Sequence, residues 1–491
     1  MGKVENSQKH MYYMPMQNVN IETSIKLPLI GIRHWQVLLL FIMIVTAFGF
    51  NVSLSVTIVA MTDPKASPNK NVPTYNWKQK GSILSSFFWG YIWPQILAGY
   101  VANRFGAKWF LIASMFCNSI LTLFIPLTAA RFGSIGMCFN RTLQGFSQGF
   151  LFPSLTNQLS KWVPKEERSR LGAFAFGGKK FRNILAGPFG TVISMLLSGI
   201  ISASWYGWPL LFYLYGALGL IWCILFIFFG YNCPADHPSI SSAEKCYIEK
   251  SLEQKPLNRP KKVPWGAIFT CPPVWALFTI QLGYHYIFWT LLSQIPSYMD
   301  HVMNFNIKSN SALSSLPYLT AWILSFVFSI LSDTIINKKL VTVQTGRKIF
   351  TSIGLLVPAL ALVALGLTTP EQPIQVIALL IVAVGVISAN MSGWSLNHMD
   401  LAPNLAGTLM GLTNGFSHLS AILAPLIVQY LVTEESNPQQ WKIVFFLASA
   451  VATFAVVIYD IFGSGKQQKW DLEAVTNIKD GATALTKETQ F

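Results

Sequence analysis

The sequence predicts an all-α membrane protein of twelve transmembrane helices in two six-helix bundles. Apolar runs of about 20 residues recur along the chain, which is the length of a helix that crosses a bilayer. Of the 491 residues, 52% are hydrophobic and only 11% are charged, unlike the composition of soluble domains. The longest internal hydrophilic stretch, 232–266, separates six apolar runs from six.

The predicted elements follow from these runs in chain order. We expect a cytosolic N-terminal tail over 1–34, an N-terminal bundle over 35–231, a cytosolic linker over 232–266, a C-terminal bundle over 267–463 and a cytosolic tail over 464–491. The twelve predicted spans are 36–61, 82–102, 109–130, 134–159, 184–204, 208–231, 274–298, 312–335, 348–368, 374–396, 405–432 and 442–463.

The basic residues predict the orientation of these spans. Of the 35 Lys and Arg residues, 27 fall on the side of the two termini and 7 on the opposite side. The positive-inside rule therefore puts both termini in the cytosol. The net charge of +15 is explained by these short loops, so it does not indicate a nucleic-acid partner. The first 34 residues are polar and the first apolar run is too long for a signal peptide.

Arg141 lies inside the fourth predicted span. At ~1.5 Å of rise per residue it is roughly 10 Å below the bilayer surface. Because a lipid-facing charge at that depth costs at least ~2.5–3.5 kcal/mol, we expect Arg141 to face a water-filled cavity or a partner inside the bundle. We interpret it as a site for an anion. The alternative is a structural arginine that snorkels or bonds to backbone carbonyl groups.

The linker and the two halves show further patterns. Ser241 and Glu244 are spaced as a capping box that opens a short helix through Leu252, and we expect a solvated tether, with a regulatory role as the alternative. Residues spaced four and five apart at the cytosolic end of the second span of each half favour parallel repeats. They are Gly99, Asn103 and Lys108 in the first half and Ser329, Asp333 and Lys338 in the second.

Five ordered motifs resemble a known family. The stretch GYVANRFGAK (99–108), which includes Arg104 and Gly106, resembles the loop motif of the major facilitator superfamily, with Asn103 where an aspartate is usual. More specific resemblance lies in SSFFWGYIWPQILAGY, RTLQGFSQGFLFPS, SKWVPKEERSRL, NHMDLAP and TLMGLTNG. Together they resemble the anion:cation symporter family, which contains sodium/phosphate cotransporters, sialin and vesicular glutamate transporters. Insect members described as inorganic phosphate cotransporters look most similar.

The resemblance implies alternating access, with anions coupled to sodium, protons or membrane potential. Arg141 falls on the family's fourth-helix arginine, whereas Asn51, Gln148 and Thr156 are neutral where many members carry an arginine, a glutamate and a histidine. Because Gln148 cannot titrate, proton coupling of the sialin kind is not expected to run through it. A single arginine suits a monovalent anion or a small phosphate.

Residues 179–188 depart from the family pattern. KKFRNILAGP would place three charges in the middle of the fifth span, so we expect the helix to shift and begin near Ile184. Lys179, Lys180 and Arg182 would then stay at the cytosolic surface. The alternative is that 171–178 inserts and the added residues bulge inside protein or water.

Other polar residues are candidates for the site. His285 could bind an anion or carry a proton, or be a neutral bonded histidine. Tyr91 and Asn414 could donate to a substrate, although packing or interhelix bonding is the favoured interpretation. His398 and Asp400 fall at a cytosolic helix end, where capping is favoured over a role in an inner gate.

These observations predict a secondary anion transporter for inorganic phosphate or a small organic anion. The competing hypothesis is a transport-inactive relative acting as a membrane receptor or scaffold. The six cysteines have no metal or redox spacing and no enzyme motif is found, so we expect no enzyme and no cofactor beyond a co-transported Na⁺ or H⁺. The expected partners are a small anionic solute and the lipid bilayer, and we expect a monomer in the plasma or a vesicle membrane.

Overall fold

The structure, a computed structural model, describes residues 31–163, 186–253, 263–369, 371–403 and 405–472. Side chains are described throughout these ranges except at 96–105, 156, 160, 186, 251–253, 406 and 407. The predicted boundary at Ile184 and the charges at Lys179, Lys180 and Arg182 lie outside the described residues.

All regular structure in the described ranges is helical. The helices of the first half and the linker are α1 (Ile32–Thr62), α2 (Lys80–Phe105), α3 (Lys108–Leu123), α4 (Ile125–Gln148), α5 (Leu151–Trp162), α6 (Ala186–Ser202), α7 (Gly207–Phe229), α8 (Ser242–Glu253) and α9 (Trp265–Phe269). Those of the second half are α10 (Pro272–His301), α11 (Ile307–Asn337), α12 (Val343–Leu367), α13 (Pro373–Ile387), α14 (Asn397–Leu401), α15 (Ala406–Ser417), α16 (Leu419–Leu431) and α17 (Pro438–Phe462).

Within the described residues, each predicted span overlaps a helix or a broken pair of helices. The predicted break between the third and fourth spans falls at Gly133, whose φ of 57° and ψ of −145° interrupt α4; a positive φ is accessible to glycine at little cost. Among the described residues, seven helical segments are long and apolar enough to cross a membrane by length and composition, and the bent pair Lys108–Leu123 with Ile125–Leu159 would be an eighth. Two of the seven, Pro373–Leu401 and Thr408–Leu431, join neighbouring helices. The chain is therefore a multi-pass membrane protein.

The two halves meet mainly where α6 packs on α11, α2 packs on α16 and α15, and α1 packs on α10 and α11. We call the end that carries Thr62, Lys80 and His301 the outer end, and the end that carries Ile32 the inner end. Two glycines let the halves approach at the outer end. A Cβ atom on Gly81 would collide with the carbonyl oxygen of Pro425, and one on Gly199 would collide with the Ser311 side chain. Small residues at such crossings allow close helix packing.

The linker helix α8 is docked on the first half, so the expected solvated tether is wrong for its described part. The Ser241 hydroxyl accepts from the Glu244 backbone N–H at 3.1 Å, as the capping pattern predicts. The Glu244 carboxylate, however, accepts from the backbone N–H groups of Ile32 and Arg33 and from the Arg33 guanidinium at 2.8 Å. It caps α1 because the unpaired N–H groups at a helix N-terminus attract a carboxylate.

Candidate functional site

The position of Arg141 is set by tight packing of α4 against α2. A Cβ atom on Gly145 would collide with the Phe87 carbonyl oxygen, and one on Gly90 would collide with the Thr142 carbonyl oxygen. These two glycines lie in the motifs RTLQGF and FFWGY, so the sequence that resembles the family also makes the crossing possible. As a result, the guanidinium carbon of Arg141 lies 4.8 Å from the centre of the Phe87 ring, within the range of a cation–π contact.

The Arg141 guanidinium is held by neutral groups. Its Nη1 donates to the Phe50 carbonyl oxygen at 3.0 Å and to Gln144 Oε1 at 2.9 Å, and its Nη2 donates to Asn51 Oδ1 at 2.8 Å. The side chain is 1% exposed, and its Nε has no hydrogen-bond partner. The predicted water-filled cavity is therefore not open to Arg141 in this conformation, and the predicted bonding to a backbone carbonyl is present.

The charge of Arg141 is nevertheless not neutralised by any described residue. Among the described residues no carboxylate lies within 4.0 Å of its guanidinium. Carbonyl and amide oxygens orient a guanidinium but carry no net charge to neutralise it. A buried cation without a counter-ion is costly, and an anion that reached it would relieve that cost.

Asn51 and Gln148 are neutral residues at positions where many relatives were expected to carry a charge, and both lie close to Arg141. Asn51 bonds to Arg141 directly. Gln148 donates through Nε2 to the Ala47 carbonyl oxygen at 2.9 Å, is 5% exposed and leaves its Oε1 unpartnered. Both residues therefore fix α1 to α4. Thr156 lies on α5, and its side chain is outside the described residues.

An aromatic layer on α2 separates Arg141 from the second half. The Phe87 ring packs on Phe88 at 5.1 Å and on Tyr91 at 5.5 Å between ring centres. Tyr91 then lies 5.1 Å from the His418 ring and Phe88 lies 4.5 Å from the Trp289 ring. Tyr91, a candidate substrate donor for which packing was the favoured interpretation, thus packs at the interface between the halves.

The second half contributes a histidine pair to this interface. The rings of His285 and His418 are 5.1 Å apart. Each Nδ1 lies against the carbonyl oxygen four residues earlier, at 2.8 Å from Gln281 and 2.7 Å from Asn414. His418 was not singled out in the sequence, although it lies four residues after Asn414 and so on the same helical face.

Asn414 connects the two halves through side-chain amides. Its Nδ2 donates to Gln95 Oε1 at 3.4 Å, and its Oδ1 accepts from Gln281 Nε2 at 3.3 Å. These are long hydrogen bonds at the limit of useful geometry. The interhelix bonding favoured for Asn414 is therefore present, and the bonds are weak enough to exchange when the halves move.

The loop motif is described only in part. Gly99, Asn103 and Arg104 lie on α2, and their side chains are outside the described residues. Gly106 has a φ of 86°, which a residue with a side chain adopts rarely. The Lys108 ammonium donates to the Ile227 carbonyl oxygen at 2.9 Å.

The corresponding stretch of the second half ends α11. Ser329 and Asp333 lie on this helix, and Lys338 is the residue that follows its last turn. Ser329 and Asp333 therefore match Gly99 and Asn103 in lying near the end of a long helix, whereas Lys108 opens α3 and Lys338 follows α11. A gating role for Asp333 stays a prediction.

His398 and Asp400 do not cap a helix, so the favoured interpretation of these residues is wrong. Asp400 Oδ2 accepts from Arg347 Nε at 2.8 Å, and His398 Nε2 lies 2.9 Å from the Thr413 hydroxyl. Asp400 thus reaches α12 and His398 reaches α15, although His398 Nδ1 also lies 3.4 Å from the Ser395 carbonyl oxygen. Arg347 also donates to the Ser392 carbonyl oxygen at 2.9 Å; its role was not predicted because its partners are distant in sequence.

Comparison with known proteins identifies the family. A family model described as the Major Facilitator Superfamily matches residues 38–425. The chain belongs to this superfamily. It is 36% identical to the "Putative inorganic phosphate cotransporter" of Drosophila ananassae, over 88% of this chain and 93% of that protein. It is 34% identical to sialin of Homo sapiens, over 90% and 91%, and 36% identical to vesicular glutamate transporter 3 of Danio rerio, over 89% and 74%. The resemblance predicted from the motifs is confirmed.

Solved structures are similar to this member of the superfamily in fold. The xylose transporter XylE from E. coli, in a partially occluded inward-open conformation, has a TM-score of 0.62 at 15% identity, over 87% of this chain and 99% of that one. A D-xylose-proton symporter has a TM-score of 0.63 at 16% identity, over 88% and 99%. The major facilitator fold is therefore confirmed.

Proposed function

We propose that this chain is a secondary transporter that moves small anions across a membrane by alternating access between two six-helix bundles. Twelve spans, six in each half, would put the substrate site between the halves near the bilayer midplane. The names of its relatives, which include phosphate cotransporters and vesicular glutamate transporters, support an anionic substrate.

The observation that carries this proposal is the uncompensated charge of Arg141. The side chain is 1% exposed and bonds only neutral oxygens among the described residues. Its Nε is left without a partner, so the guanidinium keeps one donor for a ligand. Arg141 is thus hydrogen-bonded to α1, while its positive charge is not neutralised by a described residue.

The surroundings of Arg141 favour a monovalent anion. Phe87, Phe88 and Tyr91 lie between it and the second half, and aromatic faces donate no hydrogen bonds to a second charge. A divalent anion would need further cations to offset its desolvation. Dihydrogen phosphate or a small monocarboxylate fits this arrangement. Because Gln148 cannot carry a proton, coupling would come from Na⁺, from membrane potential or from another protonatable group.

We further propose that both termini and the 232–266 linker are cytosolic, which makes the inner end the cytosolic end. The excess of Lys and Arg in the loops of that side supports this orientation. A cysteine reagent applied outside intact cells should leave Cys246 unmodified. Specific modification of Cys246 from outside would show that the orientation is the reverse of the one proposed.

Uptake into proteoliposomes tests the function. We expect labelled phosphate or labelled nicotinate, an aromatic monocarboxylate, to enter faster than into protein-free vesicles, with Na⁺ and pH gradients imposed separately to identify coupling. Arg141→Lys and Arg141→Gln should both weaken uptake, since an ammonium lacks the planar fork that holds two anion oxygens. The matched control is Lys442→Gln, which removes an outer-end lysine far from the site.

The receptor or scaffold hypothesis predicts the opposite result. No substrate-dependent flux would be found under any gradient, for either anion, with correctly folded protein in the vesicles. Equal uptake by wild type and both Arg141 variants would instead leave transport intact and assign Arg141 a structural role only.

A further inference from the structure

An ion cluster joins the two halves at the outer end. Lys80, the first residue of α2, donates through Nζ to Glu435 Oε2 at 2.7 Å. The same carboxylate oxygen lies 2.7 Å from His301 Nε2, at the end of α10. Glu435 lies in the loop between α16 and α17, so one carboxylate connects the first half to two elements of the second.

The geometry requires a protonated His301. Its Nδ1 lies 3.0 Å from the Ser297 carbonyl oxygen and its Nε2 faces the Glu435 carboxylate. A carbonyl oxygen accepts hydrogen bonds and cannot donate one, and an ionised carboxylate likewise only accepts. Both ring nitrogens must therefore carry hydrogen for both contacts to be hydrogen bonds. By contrast, His285 and His418 each place one nitrogen, Nδ1, against a carbonyl oxygen.

Neighbouring contacts show that the cluster closes the outer end. The Ser82 backbone N–H donates to Gln429 Oε1 across the halves at 2.9 Å, and Gly81 lets α2 approach the Pro425 carbonyl oxygen. These contacts can form only when the start of α2 lies against α16. The outer end is therefore shut in this conformation.

We propose that Lys80, Glu435 and His301 form a gate at the outer end, and that acid on that side favours its closure by protonating His301. The gate rests on the proposed function, since it acts on the outward-opening step of an alternating-access cycle. Opening would separate Lys80 from Glu435 and leave His301 with less negative charge around it.

The groups around His301 favour, on balance, its protonated form. Burial lowers the pKa of His301, but its hydrogen bond to Glu435 and that residue's charge raise it more, so the net pKa is raised despite the nearby Lys80 cation. Burial raises the pKa of Glu435, yet His301 and Lys80 together lower it to about 2. Asp300, beside His301 and near Asp63, has its pKa raised by burial.

The sign of the pH dependence follows from these shifts. Because His301 binds its proton more tightly in the closed state, its contribution to closure is fully present below its ordinary pKa and is lost as the pH rises through the raised value. Glu435 stays ionised through this range, and Lys80 still bridges to it. Alkaline pH at the outer side should therefore loosen the gate without abolishing it.

The test measures the gate without transport. Spin labels at Lys70→Cys and Lys308→Cys, in a variant whose native cysteines are replaced, report the distance between exposed outer sites of the two halves. We expect the population with a long distance between the spin labels to grow about two- to fivefold from pH 6 to pH 8.5. This change corresponds to the free energy that a partly exposed ion pair contributes. Glu435→Gln should show the larger population at both pH values, and His301→Gln should lose the pH response.

Control variants separate the gate from general damage. Lys80→Glu combined with Glu435→Lys should restore closure at pH 8.5, where His301 is neutral, but not at pH 6, where an ammonium at position 435 faces a protonated His301. Lys442→Gln should behave as wild type. A pH response that survives in His301→Gln, or an unchanged distance distribution in Glu435→Gln, would overturn the gate. If distances respond as expected while no anion is taken up, the gate stands and the transport proposal fails.

Discussion

Arg141 of the first half and Arg347 of the second are both buried, but they differ in how their charge is balanced. Arg347 donates to the Asp400 carboxylate at 2.8 Å and to the Ser392 carbonyl oxygen. Arg141 bonds the Phe50 carbonyl oxygen and the amide oxygens of Asn51 and Gln144, and no described carboxylate neutralises it. A charge satisfied inside the protein stabilises the fold, whereas an unbalanced one favours an anionic ligand.

The largest effect is expected when the charge of Arg141 is removed. Arg141→Gln removes a charge-assisted bond of roughly 1.5–3 kcal/mol, which corresponds to about a tenfold to hundredfold weaker apparent affinity for the transported anion. Surface expression should stay near wild type, since loss of an intramembrane charge does not impede insertion. Concentration-dependent uptake per molecule in the membrane checks this, and unchanged affinity would contradict it.

The second largest effect is expected when the charge of Arg347 is removed. Arg347→Gln leaves Asp400 without its cation, and we expect a loss of about 2 kcal/mol of stability because the pair is only partly exposed. Apparent affinity for the anion should change little. Thermal unfolding in detergent measures the loss, and adding Asp400→Asn should recover part of it. A variant as stable as wild type would show that the pair contributes nothing to the fold.

A smaller effect is expected when an uncharged hydrogen-bond partner of Arg141 is removed. Asn51→Ala removes one neutral acceptor of Arg141 and leaves its charge in place, so affinity should fall by only about two- to tenfold through loss of orientation. The measurement is the same uptake series, with Asn51→Asp as the counterpart. Because an aspartate would neutralise Arg141, we expect Asn51→Asp to reduce affinity more than alanine does, and the reverse order would refute the role of charge.

The sequence predicted the parts of the fold that depend on local pattern. Apolar run length located the helices and the break between the third and fourth spans, in which Gly133 lies. Arg141 was recognisable because a charge in an apolar run is expensive wherever its partners lie. Each of these inferences needs only neighbouring residues.

Contacts between distant segments could not be predicted in the same way. Glu244 and Arg33 are 211 positions apart, and Lys80 and Glu435 are 355 apart. Nothing in the neighbouring sequence distinguishes these four residues from ordinary loop charges. The partners of Asp400 and His398 were likewise missed, because the register of one helix against another depends on three-dimensional packing. Only the position of His418 had a local signal, its helical spacing from Asn414.

Equilibrium binding to the purified protein tests the central claim, that Arg141 supplies the charge that holds the anion. Thermal unfolding is followed while phosphate or nicotinate is raised, for wild type, Arg141→Gln and Arg347→Gln. Ligand at one hundred times its dissociation constant stabilises a protein by about 2.7 kcal/mol. We expect such stabilisation in wild type and in Arg347→Gln, from a lower starting temperature, and at most a small part of it in Arg141→Gln. Equal anion-dependent stabilisation of wild type and Arg141→Gln would contradict the account.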